Sequence, residues 1–168
     1  VTTVLLATDA DWIIDEVDAA LADDDTRVLR VRAGVDVLPA CESLEPDLVL
    51  LDMQIGNMGG MAACMAIRHE EGFDRLPLTP VIMLLDRAAD VFLARRCDAD
   101  GWLVKPLDPI RLRRATAAVL AGDTWEEGVP VEPALEPADP AHAEAAAAVA
   151  GDDDGATTSS DDELAVPR

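Results

Sequence analysis

The run Leu48-Val49-Leu50-Leu51, followed at once by Asp52, constrains this chain more than any other feature. It is aliphatic throughout, and it is bounded by Pro46 on one side and by Gly56, Gly59 and Gly60 on the other. A short unbroken run of this kind, bracketed by turn residues, reads as a strand buried on both faces. Four more segments have strand character: Thr3–Thr8, Arg27–Val31, Val81–Leu85 and Gly101–Val104. Between them lie stretches with helical spacing: 11–22, 35–43, 60–71 and 88–96. A fifth helix is predicted from Pro109, with Asp108 as its N-cap and Gly122 as its stop. Trp12, Ile13, Val17 and Leu21 share one face of the first helix. Ile110, Leu112, Ala115, Ala118 and Val119 supply the apolar positions of the last. Strands alternating with helices predict an α/β fold, a doubly wound five-stranded parallel sheet with helices on both faces.

The alternation stops near Gly122. Residues 123–168 hold 13 of the 34 acidic residues and a single basic one, Arg168. With few large apolar side chains, that segment cannot offset its ordering entropy, so it is expected to be a disordered acidic tail. The run Ala141–Ala150 has helix propensity but is short enough to be marginal alone. The expected division is therefore a domain over 1–122 and a tail over 123–168.

The net charge of −21 argues against nucleic acid as a partner, because phosphate binding rests on Lys and Arg. It disfavours an anionic membrane surface for the same reason. No apolar run approaches the roughly 20 residues of a membrane span, and no leader-like segment follows Val1. Cys41, Cys64 and Cys97 are odd in number and widely spaced, as in reduced cytoplasmic proteins. With three Trp, two Phe and no Tyr, the core has to be packed from aliphatic residues.

Chemistry concentrates at three strand ends. The first strand runs into Asp9, the third into Asp52, and the fifth into Lys105-Pro106. In an open parallel sheet the carboxyl edge is where ligands bind. Two carboxylates and one ammonium converging there suit a divalent cation and a phosphoryl group. The alternative for Asp9 is a cap on the first helix. Lys105 is the only lysine beside twelve arginines, which favours a compact point charge on phosphate over a general surface role.

The order Asp9, Asp52, Lys105-Pro106 resembles the receiver domain of two-component response regulators, over about Val1 to Gly122. The resemblance implies a flavodoxin-like fold and a phosphorelay. Asp52 would accept a phosphoryl group from a histidine kinase or phosphotransfer protein. Mg²⁺ would be held by Asp9, Asp52 and the backbone carbonyl of Gln54, and Lys105 would pair with a phosphoryl oxygen. Pro106 would follow a cis peptide that places the lysine. Such a chain is a signalling protein rather than an enzyme.

Three departures stand out. The family has two acids after its first strand, and here the first is Thr8. Ile55-Gly56 replaces the family's Met-Pro, which predicts a looser turn. At the end of the fourth strand, where the family places Ser or Thr, this chain has Leu85, leaving Asp86 or Arg87 to compensate. The aromatic switch position of the fifth strand holds Trp102, expected to be partly exposed. Output would pass to an unidentified downstream protein through the face of the fourth helix, fifth strand and fifth helix, which carries Arg95, Arg96, Arg111, Arg113 and Arg114. The competing reading is a pseudo-receiver, a phosphorylation-independent interaction module, favoured by Thr8 and Leu85. A haloacid-dehalogenase-type enzyme would need an acid two residues past Asp52, where Gln54 stands.

Overall fold

The computed structural model describes residues 1–127. Of the expected tail, residues 123–127 are described; the remainder, with the helix-prone run 141–150, lies outside the described residues. In chain order the elements are β1 (Thr2–Ala7), α1 (Asp11–Leu21), β2 (Thr26–Val31), α2 (Val37–Leu44), β3 (Leu48–Asp52), α3 (Gly60–Gly72), β4 (Val81–Leu85), α4 (Val91–Arg96), β5 (Gly101–Val104), α5 (Pro109–Leu120) and β6 (Trp125–Glu126). The strands form one sheet in the order β2-β1-β3-β4-β5-β6, and every pairing is parallel. The doubly wound α/β expectation holds, with one correction. The sheet has six strands rather than five, and β6 comes from residues assigned to the tail.

The helices divide between the two faces. On one face, α1 and α5 pack with Val4, Leu6, Leu48, Leu50, Ile82 and Leu84. On the other, α2, α3 and α4 cover Leu5, Val49, Leu51, Val81, Met83 and Leu85. This alternation along β3 and β4 follows from the two-residue period of a strand. All five residues of each strand are buried, which is why both read as unbroken apolar runs. Each large aliphatic side chain taken from water there contributes about 1.5–3 kcal/mol.

Local signals explain the boundaries. Asp108 accepts hydrogen bonds from the Ile110 and Arg111 amides at 3.0 and 2.9 Å, capping α5 with Pro109 in its first turn. Pro39 is accommodated because it falls in the first turn of α2, where an amide has no intrahelical partner to lose. Two side chains depart from their expected faces. Trp12 is half-exposed and Ile110 is 68% exposed; the buried stripes are instead Ile13, Val17, Ala20 and Leu21 in α1 and Leu112, Ala115, Thr116 and Val119 in α5. All three cysteines are free and buried, and burial pushes the Cys41 thiol up to about 12.

The placement of β6 changes the expected effect of truncation. A chain ending at Gly122 uncovers β5 and Trp102 and should lose about 1–3 kcal/mol in urea unfolding. A chain ending at residue 130 should match the full sequence. Equal midpoints for all three would show that β6 contributes nothing to the fold.

Candidate functional site

The strand order reverses between β1 and β3: α1 leaves to one face of the sheet and the segment after β3 leads to the other. The crevice this leaves at the carboxyl edge is the usual ligand position of an open α/β sheet. Thr8 follows β1 there and Asp52 ends β3; both are buried. The Asp52 carboxylate is engaged on both oxygens. Oδ1 accepts from Lys105 Nζ at 2.6 Å and from the Gln54 amide at 3.1 Å. Oδ2 accepts from the Thr8 hydroxyl at 2.8 Å. The side chains of Lys105 and Asp52 are both largely buried, so their attraction is little screened.

Thr8 is held firmly. Its hydroxyl accepts from the Ala10 amide at 3.2 Å, its carbonyl from Arg30 Nε at 2.9 Å, and its amide donates to Val31 O at 3.1 Å. Where the receiver pattern has an acid, this chain therefore presents a fixed hydroxyl that donates to the Asp52 carboxylate. Asp9 does not cap α1. The N-cap is Ala10, with no side-chain hydrogen bond, and Asp9 Oδ2 instead accepts from the Gly56 amide at 3.2 Å.

That bond also bears on the turn after β3. The Gly34 amide donates to Gly56 O and the Val35 amide to Asn57 O, both at 2.9 Å, and Ile55 is buried. The expected looser turn is in fact pinned from two sides. Gly60 then brings α3 against the end of β3; a Cβ on it would lie 2.4 Å from the Asp52 carbonyl oxygen, so only glycine fits.

At the end of β4, Leu85 is fully buried and packs in the α2–α3–α4 core, away from any polar role. Of the two suggested compensators, Asp86 reaches the site: its Oδ1 accepts from Lys105 Nζ at 3.1 Å. Arg87 turns away to Asp90, with contacts of 3.1 and 2.8 Å. The Lys105–Pro106 peptide is cis. Trp12 joins the site as well, with Lys105 Nζ 5.8 Å from its ring centroid. Trp102 is buried rather than partly exposed, and its indole N–H donates to Glu127 O at 2.6 Å. Sequence reasoning missed the roles of Trp12 and Glu127. Trp12 lies inside α1 rather than at a strand end, and Glu127 follows β6, a two-residue strand without sequence periodicity.

The chain matches the family model of the response regulator receiver domain over residues 4–117. It belongs to that family, and is thus the receiver domain of a two-component response regulator. Among its relatives is the DNA-binding response regulator MtrA of Mycobacterium tuberculosis, 34% identical over 110 residues that cover 60% of this chain and 45% of that protein. Another is the transcriptional regulatory protein CseB of Streptomyces avermitilis, 33% identical over 141 residues covering 83% and 57%. The chain spans about half the length of these relatives. Among solved structures, the chemotaxis response regulator CheY4 of Vibrio cholerae superposes with a TM-score of 0.63 at 25% identity, covering 70% of this chain and 98% of its own.

These relatives correct the expectation of no nucleic-acid partner, since regulators described as DNA-binding are similar to this chain. Net charge is a poor guide because it sums over the chain, whereas phosphate binding depends on where Lys and Arg are placed. The relatives carry about as much sequence again outside the matched stretch. Among the described residues no helix is long and apolar enough to cross a membrane.

The Thr8–Asp52 bond makes a quantitative prediction. Thr8→Val keeps the shape but strands a buried carboxylate oxygen, and should cost about 1.5–3 kcal/mol in chemical denaturation. In an Asp52→Ala background the same change should cost less, leaving only the bond from the Ala10 amide to lose. A full additive loss there would mean that the hydroxyl acts through Ala10 rather than through Asp52.

Proposed function

We propose that this domain accepts a phosphoryl group on Asp52 from a phosphohistidine of a histidine kinase or phosphotransfer protein, and signals through protein contacts as a phosphoprotein rather than as an enzyme. The observation that carries this reading is the buried Asp52 carboxylate at the sheet's carboxyl edge with Lys105 Nζ at 2.6 Å. In the transfer, an Asp52 oxygen attacks phosphorus while the P–N bond to imidazole breaks. The nitrogen keeps the bonding pair, and an acyl phosphate forms on Asp52. The transition state is loose, so positioning and charge stabilisation supply most of the catalysis. Thr8 and the Gln54 amide orient the carboxylate, and Lys105 is placed to pair with a phosphoryl oxygen.

The donor chemistry fits Mg²⁺, which accepts one or two carboxylates and keeps several waters. Asp9, Asp52 and the Gln54 carbonyl would hold it, and when bound it would neutralise phosphoryl oxygens. Among the described residues no group of three or more His, Cys, Asp or Glu side chains stands at metal-binding spacing. Water would therefore supply much of the coordination, and binding should be weak. Thr8→Asp should tighten Mg²⁺ binding on the order of tenfold, read by Trp fluorescence titration, and Asp9→Asn should weaken it. An unchanged affinity in Asp9→Asn would place the metal elsewhere.

A second reading, the pseudo-receiver, is favoured by Leu85, which leaves no hydroxyl at the end of β4 for a phosphoryl oxygen. Incubation with acetyl phosphate and Mg²⁺ separates the two. The wild type should gain one phosphoryl mass and Asp52→Ala none; a wild type that stays unmodified is a pseudo-receiver. Leu85 further predicts a muted response to phosphorylation. A charge-assisted hydrogen bond of about 1.5–3 kcal/mol is missing from the active state. A beryllofluoride mimic should move the resonances around Trp102 little in the wild type and more in Leu85→Thr. Large wild-type shifts would assign the coupling to another group, with Asp86 the nearest.

A further inference from the structure

The face read above as the output surface is already occupied by the chain itself. β6 extends the sheet as a parallel strand beside β5, pairing Gly101 with Trp125 and Trp102 with Glu126. The Trp125 amide donates to Asp100 O at 3.1 Å. Glu127 then makes a three-way clasp. Its carbonyl accepts from the Trp102 indole at 2.6 Å, its Oε2 accepts from the Val104 amide at 2.8 Å, and its Oε1 pairs with Arg111. Arg111 also donates to Pro106 O at 2.6 Å, joining the clasp to the loop that carries Lys105.

The arginines of this face meet the same segment. Arg95 pairs with Glu126 at 3.2 Å and lies over the Trp102 ring at 5.4 Å. Arg114 lies over the Trp125 ring at 5.8 Å. Three of the five arginines expected to greet a partner are thus engaged by residues 125–127. The backbone is shaped for the strand as well: a Cβ on Gly101 would lie 2.9 Å from Trp125 O and 3.1 Å from Trp125 Cβ. An unpaired edge strand is a template for another chain, and covering it is how a protein blocks such pairing.

We propose that Trp125–Glu127 is a built-in ligand of the α4–β5–α5 face, and that a partner using this face adds an acidic extended strand of its own in place of β6. The charge complementarity argues for that occupant: the edge is flanked by Arg95, Arg111 and Arg114, and the segment seated on it supplies two glutamates and a tryptophan. The clasp also sets a condition on Trp102. Its indole cannot leave its pocket while it donates to Glu127, so movement of this side chain and release of β6 are one event. The proposal deepens the reading of this face as the output surface and rests on it. Its test uses no phosphoryl donor, so failure of the phosphoacceptor chemistry would leave it standing.

The test uses the full chain. In Gly101→Ala the added methyl group should expel β6. Exchange of the Trp102 indole N–H and the Val104 amide should then rise by about tenfold or more, with the amides of β3 and β4 unchanged. Glu127→Ala, a truncation outside the core, should accelerate the Val104 amide in the same direction. A fluorescein-labelled peptide of residues 122–130 supplies the strand in trans. It should bind the triple variant Trp125→Ala/Glu126→Ala/Glu127→Ala at least about tenfold more tightly than the wild type, where the tethered strand competes. Adding Gly101→Ala to the triple variant should abolish that binding. Unchanged exchange in both Gly101→Ala and Glu127→Ala overturns the proposal. So does peptide binding equal in wild type and triple variant, or absent from a triple variant whose central strands keep their protection. Should the triple variant unfold, the exchange measurements on the two single variants decide alone.

Discussion

Every strand of this sheet runs the same way, so every strand ends at the same edge. Parallel pairing forces the chain to cross back over a face after each strand. The helices that carry it back cover both faces and leave only the two edges open. Polar groups needed for chemistry can then appear where the strands stop, without breaking into the apolar layers. The buried Asp52–Lys105 pair is the product of that constraint. Two charges 2.6 Å apart are tolerable at the rim of a largely aliphatic core because the Thr8 hydroxyl and the Gln54 amide also donate to Asp52 and Asp86 also accepts from Lys105.

Strand ends were therefore the part of the site most legible in the sequence. Asp9, Asp52 and Lys105 each follow an aliphatic run, and a run of that kind has one reading when glycines and prolines bracket it. The exposed sides of the helices were less legible. Trp12 and Ile110 fit the apolar spacing of their helices, yet the buried stripe turns past them, and Trp12 serves beside Lys105 instead. Asp86 could be suggested but not chosen over Arg87, since adjacent residues on a turn give no clue to which one faces the site. β6 was hidden for a physical reason. Two residues inside an acidic stretch carry no periodicity, and the strand exists only because β5 offers an edge and Arg95, Arg111 and Arg114 offer charge.

Thr8 and Leu85 belong together as changes in how the site is balanced. One replaces a carboxylate with a donor aimed at Asp52; the other removes a hydroxyl from the end of β4. The first lowers the local negative charge that a cation would answer. The second takes away a group that would answer an anion. Asp86 partly restores the count by holding Lys105 from its other side. The resulting centre is a closed set of internal partners, in which Lys105 already divides its protons between two carboxylates.

With three tryptophans and no tyrosine, the chain's ultraviolet emission comes from the indoles alone. Trp12 lies beside the ammonium of Lys105, while Trp102 and Trp125 lie beneath the guanidinium groups of Arg95 and Arg114 at the sheet's far edge. Each fluorophore thus has a cation as its neighbour, and the Asp52–Lys105 site and the β5–β6 pairing carry separate optical labels. Replacing Trp12 with Phe would leave the emission to Trp102 and Trp125, and replacing those two would leave it to the indole beside Lys105. Such variants need no attached dye to show which of the two regions has moved first.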